Sequence, residues 1–248
     1  MERLQKYIAE AGYTSRRKAE ELIKSGKVEV DGVIVTELGT KVSGKETITV
    51  EGNLLKKEEK EYYILNKPRG VITAVSDDKN RKTVVDIIKS DKRIYPIGRL
   101  DYDTTGVLLL TNDGEFSNIL MHPNERIEKV YVAKINGIIK GEEINKLKNG
   151  VVIDGRKTEK CKVKLRRVDP KNNTSYVSLI IHEGRNHQVK KMFEAVGFKV
   201  LKLKRERVGI FTLEGLTSGE YRRLSPKEVS IIYSLQEKKI VQIKKSSN

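Results

Sequence analysis

Two carboxylates, Asp101 and Asp103, lie close together in a polar loop with the guanidinium of Arg99 beside them. Gly98 and Gly106 bracket that loop, and apolar strands flank it. Loops held by a rigid scaffold are where catalytic groups collect. A carboxylate kept ionised by a nearby cation can act as a nucleophile. An aspartate in a loop rich in glycine and threonine is more often a turn former, bonding to its own backbone. The residues alone leave both roles open.

The other reactive groups are sparse. The 3 histidines, His122, His182 and His187, are scattered and make no metal-ligating set. His122 precedes Pro123 and reads as a loop former, His182 reads as a strand residue, and His187 invites a general-base reading that is not adopted. Cys161 is the 1 cysteine, which excludes an internal disulfide and a cysteine-rich zinc site and fits a reducing cytoplasm. No phosphate-cradling glycine loop followed by Lys and Ser or Thr is present, so ATP chemistry is not expected. Lys190 and Lys191 read as a basic helix start, Tyr131 as a strand tyrosine and Leu203 as a core leucine.

Charge narrows the partner. Lys and Arg number 50 against 34 Asp and Glu, a net of +16. Such a field attracts polyanions and speeds their encounter. No stretch of 18 apolar residues suggests a membrane span, and no basic amphipathic helix or lipidation signal suggests an anchor, so nucleic acid is favoured over membrane. A generally basic proteome would produce the same balance.

The elements that position these residues fall into two units. In the first fifty residues, Leu4, Tyr7, Ile8 and Ala11 recur at helical spacing with Gly12 placed to end the helix. Thr14 or Ser15 can cap a second helix carrying Ala19, Leu22 and Ile23 and closed by Gly26. Valines alternating around Asp31-Gly32 predict a hairpin, and Ile48 with Val50 a further strand. Arg16, Arg17 and Lys18 occupy the first turn of the second helix, with Lys24 at its far end. Cations at a helix N-terminus oppose the helix dipole, which points to a polyanion contact. Glu51–Glu61 is polar and reads as a linker.

From residue 62 the pattern is mixed. Strands are expected at Tyr62–Leu65, Val107–Leu110, Val130–Ile135, Cys161–Val168, Tyr176–Ile181 and Val200–Leu203. Helices are expected at Glu142–Lys148, His187–Val196 and 226–235, the last with Ser225 as N-cap and Glu228 completing a capping box. In Lys160–Arg166 apolar residues alternate with cations, which predicts one buried and one basic face. Strands without regular helix crossovers favour a mostly antiparallel sheet in an α+β fold.

Particular motifs carry a family resemblance. The run from Ser15 through Val28 resembles the S4 RNA-binding domain. Gly98-Arg99-Leu100-Asp101-Tyr102-Asp103-Thr104-Thr105-Gly106 resembles the catalytic motif of pseudouridine synthases, and with Leu108–Gly114 behind it is similar to the RsuA/RluB-type ribosomal RNA enzymes. Asn66-Lys67-Pro68-Arg69-Gly70, Lys129-Val130-Tyr131-Val132-Ala133, the stretch Glu183–Phe193 and the stretch Leu203–Gly209 resemble further motifs of that family, in order.

The resemblance implies an S4 domain with linker over 1–58, a catalytic domain over 59–238 with a mostly antiparallel mixed sheet flanked by helices, and a basic tail over 239–248. It implies isomerisation of a uridine in ribosomal RNA, with no cofactor and no metal. Asp101 becomes the catalytic nucleophile, Tyr131 the ring packed on the target base, and Lys190 the cation paired with Asp101. Leu203 would support the base. Arg99 and Arg185 would contact RNA, as would Arg16, Arg17, Lys18 and Lys24. The partner would be ribosomal RNA or a ribosome-assembly intermediate, met by a cytoplasmic monomer. The Arg185-Asn186-His187 stretch and the Met1–Tyr7 opening point to large-subunit (23S) RNA. Small-subunit (16S) RNA is the runner-up, followed by a non-catalytic S4-type ribosome-assembly protein.

Overall fold

A computed structural model of the chain describes residues 1–235. The expected basic tail, 239–248, lies outside them. Contacts divide the chain into two compact units. One comprises Met1–Glu61 with Ser90–Ile94 and Thr111–Gly114; the other holds Tyr62–Lys89, Tyr95–Leu110 and the chain from Glu115 onward. No helix among the described residues is long and apolar enough to cross a membrane.

The first unit contains β1 (Glu2–Arg3), α1 (Leu4–Glu10), α2 (Arg16–Lys24), β2 (Val28–Val30), β3 (Val33–Ile34), β4 (Lys41–Val42), β5 (Ile48–Val50) and β6 (Asn53–Leu54). Leu4, Tyr7 and Ile8 form the buried stripe of α1 and pack with Ala19 and Ile23 of α2 and with Val28, Val42, Ile48 and Val50 of the strands. Of the two candidate caps, Ser15 is the one used: its hydroxyl accepts the Lys18 amide at 3.2 Å. Asp31 and Gly32 both take positive φ, 51° and 79°, as a two-residue hairpin between right-twisted strands requires.

The expected linker is corrected in its first half. Glu51 and Gly52 also take positive φ, 49° and 80°, and turn β5 into β6, after which Leu55 enters the core. The stretch reads as polar because two of its residues are turn formers and β6 is exposed.

The second unit contains β7 (Tyr62–Lys67), β8 (Tyr95–Ile97), β9 (Thr105–Thr111), α3 (Gly114–Met121), β10 (Lys129–Asn136), α4 (Gly141–Asn149), β11 (Val152–Ile153), β12 (Arg156–Lys157), β13 (Lys162–Asp169), β14 (Thr174–Ile181), α5 (Gln188–Glu194), β15 (Val200–Val208), β16 (Phe211–Thr212) and β17 (Tyr221–Arg223). Residues 226–235 are helical, and the expected capping box closes: the Ser225 amide donates to the Glu228 carboxylate at 2.8 Å and the Glu228 amide to the Ser225 hydroxyl at 3.3 Å.

A nine-stranded sheet forms the centre, in the order β13-β14-β10-β15-β9-β7-β17, with β8 on β9 and β16 on β15. β13, β14, β10 and β15 pair antiparallel, as β17 does on β7, while β15 meets β9 in parallel. This is the mixed, mostly antiparallel α+β architecture expected from the sequence. Val107 and Leu109 of β9 pack with Phe116, Ile119 and Leu120 of α3, with Phe211 and with Ile232. Helix α3 was not foreseen, although its apolar residues recur at helical spacing.

The parallel join depends on one glycine. Gly106, at φ 112°, lies opposite Arg205, and a Cβ there would stand 2.1 Å from the Arg205 carbonyl oxygen. Gly155, in the β11–β12 turn at φ 73°, has nothing within 4 Å of its Cβ position. Gly106→Ala therefore combines backbone strain with a collision, for a loss of roughly 2–4 kcal/mol, whereas Gly155→Ala meets strain alone, about 1 kcal/mol. Urea denaturation of the two variants checks the difference.

Candidate active site

The loop joining β8 to β9 carries Asp101, and the segment after β7 shapes it. Lys67, the last residue of β7, is fully buried. Its ammonium donates to the carbonyls of Asp101 at 3.1 Å, Thr104 at 3.0 Å and Pro68 at 3.2 Å, with Tyr102 at 3.5 Å. The Thr73 hydroxyl donates to the Leu100 carbonyl at 2.7 Å, and the Gly70 amide to the Tyr102 carbonyl at 2.8 Å. The backbone on both sides of Asp101 is thus clamped before its side chain meets any partner.

The carboxylate of Asp101 faces helix α5. Lys190 reaches it at 2.9 Å and reaches Asp103 at 2.6 Å, so one ammonium bridges both acids of the loop. Burial by itself would lower the Lys190 pKa; the hydrogen bonds to Asp103 and Asp101 outweigh it and hold the pKa above its ordinary value. The same bond to Lys190 holds the Asp103 carboxyl below the usual range. His187 caps α5 in a left-handed conformation, with its Nδ1 3.8 Å from the Asp101 carboxylate.

A cleft of about 300 Å³ opens beside Asp101, lined among others by Arg99, Lys129, Tyr131, Arg185 and Arg205. A smaller recess of about 60 Å³ brings Asp101, Tyr131 and Leu203 to one place. Tyr131 comes from β10 and Leu203 from β15, on the face of the sheet shared with Arg205. Arg205 is buried: its Nε donates to the Val107 carbonyl at 2.8 Å, and its Nη1 lies 3.4 Å from the Tyr131 hydroxyl. The guanidinium also stands 6.0 Å from the centre of the Tyr131 ring, within cation–π range. Lys129 donates to the His182 carbonyl at 2.9 Å, and burial, then Arg205, lowers its pKa.

These are the parts of a site for a planar base: a half-buried carboxylate with its cation, an aromatic ring and a leucine around a recess, and a basic rim. Comparison with known proteins decides what such a site belongs to. A family model for RNA pseudouridylate synthase matches residues 61–195, and one for the S4 domain matches residues 2–48. The chain belongs to the RNA pseudouridylate synthase family. It is 56% identical over 238 residues to ribosomal large subunit pseudouridine synthase B of Bacillus subtilis, covering 96% of this chain and 98% of that one. It is 38% identical to an uncharacterized RNA pseudouridine synthase of Aquifex aeolicus, covering 93% of each. A crystal structure of a pseudouridylate synthase, 33% identical, superposes with a TM-score of 0.66 over 94% of this chain and 100% of its own.

Within this synthase, the residues expected at the site divide by location. Asp101, Tyr131, Leu203 and Arg99 line the cleft or recess of the second unit, and Lys190 reaches them through its ion pair with Asp101. Arg99 is exposed at the rim. Arg185 also lines the cleft, but its guanidinium is engaged with the Glu183 carboxylate and with the carbonyls of Arg156 and Lys157, at 2.9 and 2.7 Å, tying the β12 end to the turn before α5. Arg16, Arg17, Lys18 and Lys24 are exposed on α2 of the first unit, whose first turn holds no acid. Lys67 and Arg205 were not singled out from sequence. Both lie inside motifs that carry the resemblance, and the available signal for each was a cation within an otherwise strand-like run.

Burial pushes the Lys67 ammonium down to about 8, against the pull of Asp101 and Asp103. The unfolded chain keeps Lys67 charged up to its ordinary pKa of 10.5, so between those values the unfolded state binds more protons and stability rises with pH. Urea titrations of the parent and Lys67→Met from neutral to alkaline pH should show the parent gaining on the variant across that window, by at most roughly 3 kcal/mol. A constant difference would mean that the carbonyl shell keeps the ammonium at its ordinary pKa.

Proposed function

We propose that this chain converts one uridine of large-subunit ribosomal RNA to pseudouridine, with Asp101 as nucleophile and no metal or cofactor. The observation that carries the reaction is the Asp101–Lys190 pair, 2.9 Å apart, at a recess shared with Tyr131 and Leu203. The substrate class follows from the 56% identity to a protein named for the large ribosomal subunit.

The reaction breaks the bond between N1 of uracil and the ribose, turns the base, and joins the ribose to C5; a proton leaves C5 and N1 gains one. It is an isomerisation, so neither an electron acceptor nor an energy source enters. The base must first leave its stack, at about a few kcal/mol. Arg99 at the rim offsets this through phosphate contact. In the recess Tyr131 offers its ring face to the base, as aromatic side chains do to unstacked pyrimidines, and Leu203 closes the other side. Lys190, 2.9 Å from the Asp101 carboxylate, pairs with it and holds it in place for attack. Arg205 holds the Tyr131 hydroxyl and ring, a positioning role.

Residues 1–58 serve as the docking domain, with Arg16, Arg17, Lys18 and Lys24 on RNA phosphates, and 59–238 as the catalytic domain. The chain acts as a monomer in the cytoplasm, on ribosomal RNA or an assembly intermediate.

Incubation with unmodified large- and small-subunit ribosomal RNA, followed by mapping of new pseudouridines, tests the reading. One new site in the large-subunit RNA is expected, absent with Asp101→Asn although that variant still binds. Near-parental turnover by Asp101→Asn would remove the nucleophile assignment, and product only in small-subunit RNA would reassign the substrate. Replacing Arg16, Arg17 and Lys18 with alanine should weaken RNA binding and reduce the slope of log affinity against log salt by about 2–3. An unchanged slope would take these residues out of the RNA contact.

A further inference from the structure

The sheet that presents Tyr131, Leu203 and Arg205 on one face carries a different surface on the other. Residues directly opposite in antiparallel strands share a face. The registers Lys162↔Ile180 and Lys164↔Ser178 join β13 to β14, Val132↔Ser178 and Lys134↔Tyr176 join β14 to β10, and Lys202↔Lys134 and Lys204↔Val132 join β10 to β15. Lys162, Lys164, Lys202 and Lys204 therefore stand on one face across four strands, and all four are exposed. Neighbouring strands are about 4.8 Å apart and same-face side chains recur about every 7 Å along a strand, so the lysines cover an area of roughly 15 by 10 Å.

None of these four lysines forms an ion pair among the described residues. Acids on or beside this face are already engaged: Glu206 lies 3.7 Å from Arg166, Asp169 lies 3.9 Å from Arg167, and Glu128, which interacts electrostatically with Lys162, lies 2.6 Å from Arg207. Lys134 and Arg167 flank the ring of Tyr176 at 5.6 and 4.8 Å. The aromatic group of this face is thus occupied by cations and leaves no free platform for a base.

Folding alone does not account for the pattern. Lysines on an edge strand such as β13 guard against edge-to-edge pairing, but Lys204 of β15 is paired on both sides, with Val132 of β10 and Thr105 of β9, where that role does not apply. Lys134 directly opposite Lys202 is a like-charge cross-strand pair, which destabilises a sheet. A polyanion on this face relieves that repulsion.

We propose that this open face docks the phosphate backbone of an RNA segment flanking the modified uridine, reached around the β13 edge, as a second contact surface independent of base identity. The proposal rests on the reading of the chain as an RNA-modifying enzyme. Flat, cationic and without a free aromatic ring, the face suits a phosphate backbone rather than single-stranded bases, which require stacking partners.

The test uses the full chain with Lys162, Lys164 and Lys202 replaced together by glutamine, and a second variant with arginine at all three. Binding is measured to full-length large-subunit ribosomal RNA and to a short stem-loop cut from it. The glutamine variant should bind the full-length RNA roughly tenfold more weakly at moderate salt, with a salt slope lower by about 2–3, while binding the stem-loop like the parent. The arginine variant should match the parent on both. Unchanged affinity and slope on the full-length RNA would overturn the proposal, and so would an equal loss on the stem-loop. Pseudouridine formation by the parent on the same RNA is read in parallel. Its absence would refute the reaction assigned to the cleft, while the binding comparison would still decide whether the face docks RNA.

Discussion

A buried ammonium organises the site. Taking a lysine out of water costs several kcal/mol unless its protons find acceptors, and Lys67 finds them in the backbone carbonyls of Pro68, Asp101 and Thr104. Two of those acceptors, Asp101 and Thr104, belong to the loop that carries the carboxylate. Carbonyls that converge on one cation cannot rearrange singly without leaving it under-coordinated, so the backbone at Asp101 is determined as a unit. The carboxylate above is then free to be placed by α5, through Lys190.

The sheet supplies the remaining geometry. Tyr131, Leu203 and Arg205 come from two neighbouring antiparallel strands, and their mutual positions are set by backbone ladders. Asp101 comes from the far side of the parallel β15–β9 contact, where Gly106 lets the two backbones approach closely. The Nε of Arg205 crosses that contact to the Val107 carbonyl while its Nη1 faces the Tyr131 hydroxyl. One side chain thereby ties the loop-bearing strand to the strand that carries the aromatic ring.

Much of this was legible in the chain. Hairpin glycines, the Ser225 cap and the alternation of β13 are local patterns, and local physics decides them. The family motif marked Asp101, Tyr131 and Lys190 as residues to be brought together; Asp101 and Tyr131 line one cleft, and Lys190 pairs with Asp101. What sequence did not reveal were the consequences of long-range pairing. Strand β15 runs past the expected Leu203 to Val208 because its polar residues are matched: Arg205 is buried against β9 and Arg207 reaches Glu128 at 2.6 Å. A charged run reads as the end of a strand until its partners are known. Lys67 was hidden for the same reason, since its acceptors lie far along the chain. The first half of the expected linker differs through turn chemistry, with Glu51-Gly52 reading as polar spacer rather than as a hairpin.

The bridging of Asp101 and Asp103 by Lys190 has a further consequence for the proposed reaction. When Asp101 forms a bond to the substrate its negative charge passes to the uracil, and a lysine paired with Asp101 alone would lose its direct partner in a half-buried position. Lys190 keeps its contact to Asp103 at 2.6 Å. The charge thus moves onto the base without stranding the cation, and little reorganisation is required when the carboxylate returns. Preorganised charge of this kind is most effective where water is limited. In the proposed reaction Asp103 thus keeps Lys190 in place, a role for the second acid of a loop in which one suffices for attack.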